Sequence, residues 1–225
     1  MPTRSPRLSL LSLLPKILWA AGLIVFVGLM LGITIPYLVP PFRTDIDFLL
    51  SKQDVLPLLL WRVAFYGHIV ASPVVLLTGG LQFWRRTVWL YPRVHRWLGY
   101  IYIITILAIS APTGLVLAVF ANGGLPTQIA FTLLALGWFA TTFWAYRTAI
   151  RKDFAAHERW MTRSYALTCS AITLRLLQFV FGYTHCFEFE TAYLVSAWCS
   201  WTLNLAVAEV LLRWQPPLIF PLVRR

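Results

Sequence analysis

The sequence predicts an all-α fold, a polytopic membrane protein with six transmembrane helices in one bundle. Hydrophobic residues make up 59% of the 225 residues and charged residues 12%, about half the charged share of an ordinary soluble domain. The apolar residues are grouped in blocks of about 20, which is the length that crosses the hydrocarbon core of a bilayer. Charged and turn-forming residues lie between these blocks, so the chain has no room for a sizeable soluble domain.

The first predicted helix covers residues 17–39 and follows a short basic N-terminal segment, residues 1–16. Its apolar run is too long for the core of a signal peptide. It also lacks a small-residue cleavage site, so we predict that the helix is retained. Pro40 and Pro41 end it, because proline lacks the backbone N–H that would continue the helix.

Five more helices follow, and together with the first they form one transmembrane domain over residues 17–214. A polar loop over residues 40–55 precedes the second helix, and the turn signal Asn122-Gly123-Gly124 precedes the fourth. A basic tail, residues 215–225, begins with a proline pair that cannot continue the last helix. The five helices are predicted over residues 56–84, 98–120, 127–146, 162–183 and 191–214.

The distribution of positive charge orients the chain. Fifteen of the 19 Lys and Arg residues lie in or within two residues of the two terminal segments and the loops after the second and fourth helices. Loops rich in Lys and Arg stay in the cytoplasm, so the sequence predicts a cell (inner) membrane protein with both termini cytoplasmic. The net charge of +11 also suits a nucleic-acid binder. Because the basic residues are confined to loops between apolar runs, we expect the lipid bilayer and not nucleic acid as the partner.

His68 is the sharpest candidate for a functional residue. It lies roughly 18 Å from the outer end of the second predicted helix, near the middle of the membrane. Ser72, Gly79 and Gln82 share its helix face, and such a polar face should point into the bundle. Ionisable groups at this depth bind metal or haem, or carry protons. The alternative is a neutral histidine that is hydrogen-bonded to a neighbouring helix.

Arg175 is the second candidate, roughly 12 Å deep in the fifth predicted helix. Its guanidinium keeps its charge and therefore needs an anion or several carbonyl oxygens. The outer-loop acids Glu188 and Glu190, a haem propionate, a quinone oxygen or a carboxylate substrate would each suit. We expect Arg175 to share a cavity with His68. The alternative is that its side chain reaches out to the membrane surface.

His95 and His157 open the third and fifth helices at the cytoplasmic face, at similar depth. Such a pair can hold a metal or a haem iron between two helices, or can consist of ordinary interfacial residues. Glu209 lies four residues before Arg213, a spacing that favours a local ion pair. The chain contains no phosphate-binding loop, dinucleotide fingerprint or hydrolase motif, so no catalytic residue is predicted. Its three cysteines show no disulfide or zinc spacing.

Five parts of the sequence form a recognisable set: residues 67–68, 79–83, 95–102, 157–165 and Arg175. Together they resemble the bacterial membrane proteins grouped as domain of unknown function 2306, over about residues 60–180. The resemblance implies a helical membrane architecture and a bacterial membrane location, and it implies no activity. A looser likeness is to cytochrome b561-type bundles, in which pairs of histidines hold two haems. This chain departs from that pattern, because its fourth predicted helix has no histidine.

Three functions remain open at this point. The sequence favours an accessory membrane protein without catalytic activity of its own, in which the histidines are structural. The first alternative is a b-type haem or metal-binding redox protein with His95 and His157 as the axial pair and Arg175 as a propionate clamp. The second is a transporter or small-molecule-binding protein with His68 and Arg175 in a polar cavity.

Overall fold

The computed structural model describes residues 10–40, 44–83 and 91–214, and all regular secondary structure within these ranges is helical. One π-helical turn, Thr105–Ser110, lies between two of the described helices, Pro92–Ile104 and Ala111–Val119. The helices are α1 (Leu10–Leu38), α2 (Asp47–Leu50), α3 (Leu59–Gln82), α4 (Pro92–Ile104), α5 (Ala111–Val119), α6 (Gly124–Ile150), α7 (Phe154–Thr168), α8 (Ser170–Thr184) and α9 (Phe189–Trp214).

Within the described residues, six helical segments are long and apolar enough to cross a membrane, which confirms the predicted number. The third span combines α4, the π-helical turn and α5, and the fifth span combines α7 and α8. The chain is therefore a multi-pass membrane protein whose partner is the bilayer. The spans are Ile17–Leu38, Leu59–Gln82, Pro92–Val119, Gly124–Ile150, Phe154–Thr184 and Phe189–Trp214.

The third, fourth and fifth spans extend further towards the basic loops than predicted, because hydropathy marks the apolar segment and not the end of the hydrogen-bonded helix, whereas the second span ends at Gln82, two residues earlier than predicted. The third span begins at Pro92, where a missing N–H costs nothing. The fifth begins at Phe154, after Asp153 caps the helix by accepting a hydrogen bond from the backbone N–H of Ala156. The predicted loop over residues 84–90, the tail over 215–225 and residues 1–9 of the N-terminal segment lie outside the described residues.

Short turns join the third span to the fourth, the fourth to the fifth and the fifth to the sixth, so these neighbouring spans run antiparallel. Gly123 and Gly124 have φ angles of 80° and 70°, a conformation that glycine adopts without the steric cost of a side chain. This confirms the predicted turn before α6. We call the end of the bundle where α6 ends and α7 begins the basic end, because Arg147, Arg151 and Lys152 lie there.

A tightly packed layer crosses the bundle close to the end of α3, where Gly79 lies three residues before Gln82. A Cβ atom at Gly79 would lie 2.6 Å from ring carbons of both Tyr102 and Tyr165, so α3, α4 and α7 approach closely only because this residue is glycine. The Tyr102 hydroxyl lies 2.9 Å from Ser164 Oγ and 2.8 Å from Thr168 Oγ1. We call these five residues, Gly79, Tyr102, Ser164, Tyr165 and Thr168, the tyrosine layer.

Candidate functional site

Two cavities lie on either side of the tyrosine layer, and each contains histidine. Along α7, Met161 lines the cavity at the basic end and Thr168 lines the other, with Ser164 between them. Along α3, Gln82 lines the first cavity and His68 the second. We call the first the histidine pocket and the second the central cavity.

The histidine pocket has a volume of 590 Å³ and is formed by the end of α3, α4, the end of α6 and the start of α7. His95 and His157 both line it, and they are close enough for their charges to act on each other. Its other lining residues are mainly aromatic and polar: Gln82, Phe83, Pro92, Arg96, Gly99, Tyr100, Ile103, Tyr146, Ala149, Ile150, Phe154, Glu158 and Met161.

A backbone carbonyl fixes the ring of His157. Its Nδ1 lies 2.8 Å from the carbonyl oxygen of Ala145 on α6. Because a carbonyl oxygen only accepts hydrogen bonds, this contact places the proton on Nδ1 and leaves Nε2 of the neutral ring with a free lone pair. His157 can therefore accept a hydrogen bond from a ligand or coordinate a metal through Nε2.

Gln82 and His95 leave two buried polar atoms without a partner. Gln82 is 6% exposed, and its Nε2 donates to the backbone carbonyl of His95 at 2.9 Å. Neither Gln82 Oε1 nor His95 Nδ1 has a hydrogen-bond partner among the described residues. Buried polar atoms in proteins almost always have one, so this wall of the pocket has unmet hydrogen-bonding capacity. Gln82 was not predicted as a residue of this pocket, although its position on the helix face of His68 indicated an inward-facing side chain.

The central cavity lies in the middle of the bundle and has a volume of 220 Å³. All six spans contribute to its wall. The lining is largely apolar: Met30, Phe48, His68, Ser72, Val75, Leu76, Gly114, Leu117, Ala118, Ala121, Phe131, Leu134, Ala135, Trp138, Leu167, Thr168, Ser170, Ala171, Leu174, Tyr193 and Ser200.

His68 is held against the π-helical turn of the third span. Its Nδ1 lies 3.0 Å from the carbonyl oxygen of Ser110 and 3.3 Å from Thr113 Oγ1. The carbonyl contact again assigns the proton to Nδ1 and leaves Nε2 as an acceptor. A Cβ atom at Gly114 would lie 3.2 Å from His68 Cε1, so this glycine makes room for the ring. The prediction that the His68 face points into the bundle therefore agrees with the structure.

The structure does not bring Arg175 into the cavity of His68. Arg175 is exposed, its Nη1 donates to Gln178 Oε1 at 3.2 Å, and it is not among the lining residues of the central cavity. The expectation of a shared cavity is corrected, because the exposed guanidinium is bonded to Gln178 on its own helix and does not contribute to the wall of the cavity. A role of Arg175 in cofactor binding stays a prediction.

The ion pair of Glu209 differs from the predicted one. Arg163 Nη2 donates to Glu209 Oε2 at 3.0 Å, and Arg163 Nε donates to Oε1. The local pair with Arg213 was therefore wrong. The planar guanidinium matches both carboxylate oxygens at once, and the packing of α7 against α9 brings the two groups together. Arg163 also lies over the Trp160 ring at 4.9 Å.

The remaining metal-binding side chains do not form clusters. Among residues 10–40, 44–83 and 91–214, no group of three or more His, Cys, Asp or Glu side chains could hold a metal ion. Cys169, Cys186 and Cys199 are free thiols, as the sequence predicted. His185 is exposed and ends α8 with a φ angle of 49°.

A family model described as "Predicted membrane protein (DUF2306)" matches residues 65–212. No curated protein and no solved structure matches the chain. Most of the stretches that carry the sequence resemblance converge at one place in the fold. Residues 82–83, 95–96, 99–100 and 157–158 all line the histidine pocket.

Proposed function

The chain belongs to the DUF2306 family of predicted membrane proteins, and on this premise we propose that it binds a small organic molecule in the histidine pocket. The observation that carries the proposal is the convergence of His95, His157 and buried Gln82 on one cavity of 590 Å³. Ligand sites commonly have volumes of about 300–1,000 Å³. We infer an accessory binding role without catalytic activity, in the bacterial inner membrane with both termini in the cytoplasm.

The wall of the pocket supports a ligand that is both flat and polar. Phe83, Tyr100, Tyr146 and Phe154 supply aromatic surface, on which a planar molecule can stack. His157 supplies an acceptor at Nε2, because its Nδ1 is occupied by a carbonyl. A ligand N–H or O–H that enters beside Gln82 would supply the donor that Gln82 Oε1 lacks.

Native mass spectrometry of the purified protein tests this proposal. We expect an added mass on the wild-type chain that is lost in His157→Ala. The matched control is His185→Asn, because His185 is exposed, lies outside the pocket, and asparagine tolerates its left-handed backbone. A wild-type protein without added mass, or a mass that survives His157→Ala, would contradict the proposal.

Reporter fusions test the proposed orientation. Fusions at residues 90 and 153 should report the cytoplasm, and fusions at 50 and 123 the outside, because Lys and Arg are concentrated on the first side. A single fusion on the wrong side would overturn the assignment of the termini.

A b-type haem in the same pocket is the second candidate. His157 favours it, because ligating histidines usually donate their other ring N–H to an oxygen, as Nδ1 does here to Ala145. Arg96 lines the pocket and could pair with a propionate, whereas Arg163 is already paired with Glu209. His95 fits less well, because its Nδ1 has no partner among the described residues. A bound haem would supply electron transfer.

An absorption spectrum separates the two candidates. Haem would give a Soret band that is lost in His95→Ala and in His157→Ala, provided that both variants stay folded. A bound mass without a Soret band leaves the organic-ligand proposal standing and ends the haem alternative.

A further inference from the structure

We propose that the central cavity is a second binding site, separate from the histidine pocket. Its ligand is an uncharged molecule of about the size of phenol or a small bicyclic ring. This ligand donates a hydroxyl hydrogen bond to Nε2 of His68. Size, charge and hydrogen bonding each limit the ligand, and each follows from the described wall of the cavity.

The size of the cavity suits a ring-sized ligand. Its volume of 220 Å³ exceeds that of a protein cavity of about 150 Å³ that stays dry and binds benzene. The walls are mostly apolar, with Val75 and Leu76 nearly inaccessible to solvent at 1% and 3% exposure. An apolar ring that enters this space leaves water, which is favourable, and gains van der Waals contacts with the wall.

The ligand must be uncharged. Among the described residues that line the cavity there is no carboxylate, ammonium or guanidinium group. Arg175, the nearest candidate on α8, is exposed and bonded to Gln178. A charged ligand would therefore lose its water without gaining a counter-charge, which is costly in an apolar interior.

Two groups on the wall select a hydroxyl. His68 offers Nε2 as an acceptor, because its Nδ1–H points at the Ser110 carbonyl. Ser170 is 2% exposed, lines the cavity, and its Oγ has no hydrogen-bond partner among the described residues. Since a hydroxyl both donates and accepts, one ligand O–H can donate to His68 and accept from Ser170. A hydrocarbon ring leaves both groups unpaired.

The proposal is tested by comparing phenol with benzene as ligands of the full-length protein in one fixed detergent. We expect the wild type to bind phenol tighter than benzene by roughly 3- to 10-fold, the value of one hydrogen bond. His68→Asn keeps a donor near Nδ1 and removes the acceptor at Nε2, so the phenol preference should disappear. His68→Gln places an amide oxygen near Nε2 and should retain part of the preference.

Filling the cavity is the second arm of the test. Ala135 is 6% exposed and lines the cavity, so Ala135→Leu should weaken both ligands at least several-fold. Ala140 lies on the same helix but is exposed, so Ala140→Leu should change neither. If Ala135→Leu fails to fold, it is replaced by Ala121→Leu, at a half-buried position of the same wall.

Three results would overturn the proposal. The first is equal binding of phenol and benzene to the wild type. The second is a phenol preference that survives His68→Asn. The third is binding that ignores the filling variants, which would show partition into detergent only. The proposed function of the histidine pocket is independent, because His157→Ala should leave the phenol preference unchanged.

Discussion

The histidine pocket and the central cavity present the same chemical group in opposite surroundings. In each, a lining histidine donates Nδ1–H to a backbone carbonyl and keeps Nε2 as an acceptor: His157 donates to Ala145 and His68 to Ser110. The pocket lies at the basic end, where Arg96 and Glu158 also line the wall. The central cavity lies within the bundle and is lined without ionised groups among the described residues.

The ligands proposed for the two sites differ because the sites lie at different depths in the membrane, although each contains histidine. Near the basic end, water and charged side chains can offset the cost of removing a polar or charged ligand from bulk water. In the centre, only hydrogen bonds from the wall can do so. The tyrosine layer keeps the two environments apart, because its side chains fill the space between them.

The largest effect should come from Gly79→Ala. The added Cβ atom would lie 2.6 Å from the rings of Tyr102 and Tyr165, so the helices must separate and the unfolding free energy should fall by about 3 kcal/mol. Denaturant titration in mixed micelles measures the change. Gly28→Ala is the control, because Gly28 is exposed and no atom lies within 4 Å of its added Cβ. A loss of stability no larger than that of the control would refute the close packing.

The second-largest loss of stability should come from Tyr102→Phe. This change removes a hydroxyl bonded to Ser164 and Thr168 inside the tyrosine layer. We expect a loss of about 1 kcal/mol, as is typical of interhelical hydrogen bonds in membranes. The same titration measures it. Tyr183→Phe should have no effect, since Tyr183 is 80% exposed. If both variants behave alike, the hydroxyl network does not hold the layer together.

Lys52 lies at the end of the bundle opposite the basic end. It should make a smaller contribution to stability, and this contribution should depend on pH. Its Nζ donates to the Phe120 carbonyl and to Asn122 Oδ1, and burial lowers its pKa below the ordinary value of 10.5. The folded state thus disfavours the charged amine. Deprotonation therefore costs less in the folded protein, and stability should rise as the pH increases from the lowered pKa to 10.5.

Thermal unfolding across alkaline pH measures the contribution of Lys52. Lys52→Gln should lose the rise between the lowered pKa and 10.5, whereas Lys152→Gln, at an exposed lysine, should keep it. The effect is limited because the neutral amine still donates to both oxygens. An unchanged pH profile in Lys52→Gln would exclude this lysine as the source.

The smallest effect should be the coupling between the two cavities. His68 and His157 lie on opposite sides of the tyrosine layer and share no hydrogen-bond partner among those described. The stability changes of His68→Asn and His157→Ala should therefore add to within about 0.5 kcal/mol in the double variant. A larger interaction energy from this cycle would mean that the layer transmits structure between the cavities.

The sequence by itself determined the secondary structure and one functional face. Hydropathy alone placed six spans, because each block of about 20 apolar residues must satisfy its own backbone in lipid and does so as a helix. The periodicity of α3 pointed His68 inward, because side chains four residues apart share a helix face. The turn at Gly123 and Gly124 was also predicted, and both residues have positive φ angles in the structure.

Only the tertiary structure decided which helices face one another. The convergence of Gln82, His95 and His157 depends on the rotation of three helices about their axes, which no local pattern records. The same holds for the pairing of Glu209 with Arg163 in place of Arg213, and for the exposed position of Arg175. Local spacing predicts partners within one helix, whereas partners between helices depend on close contacts such as those at Gly79, which fix how neighbouring helices approach.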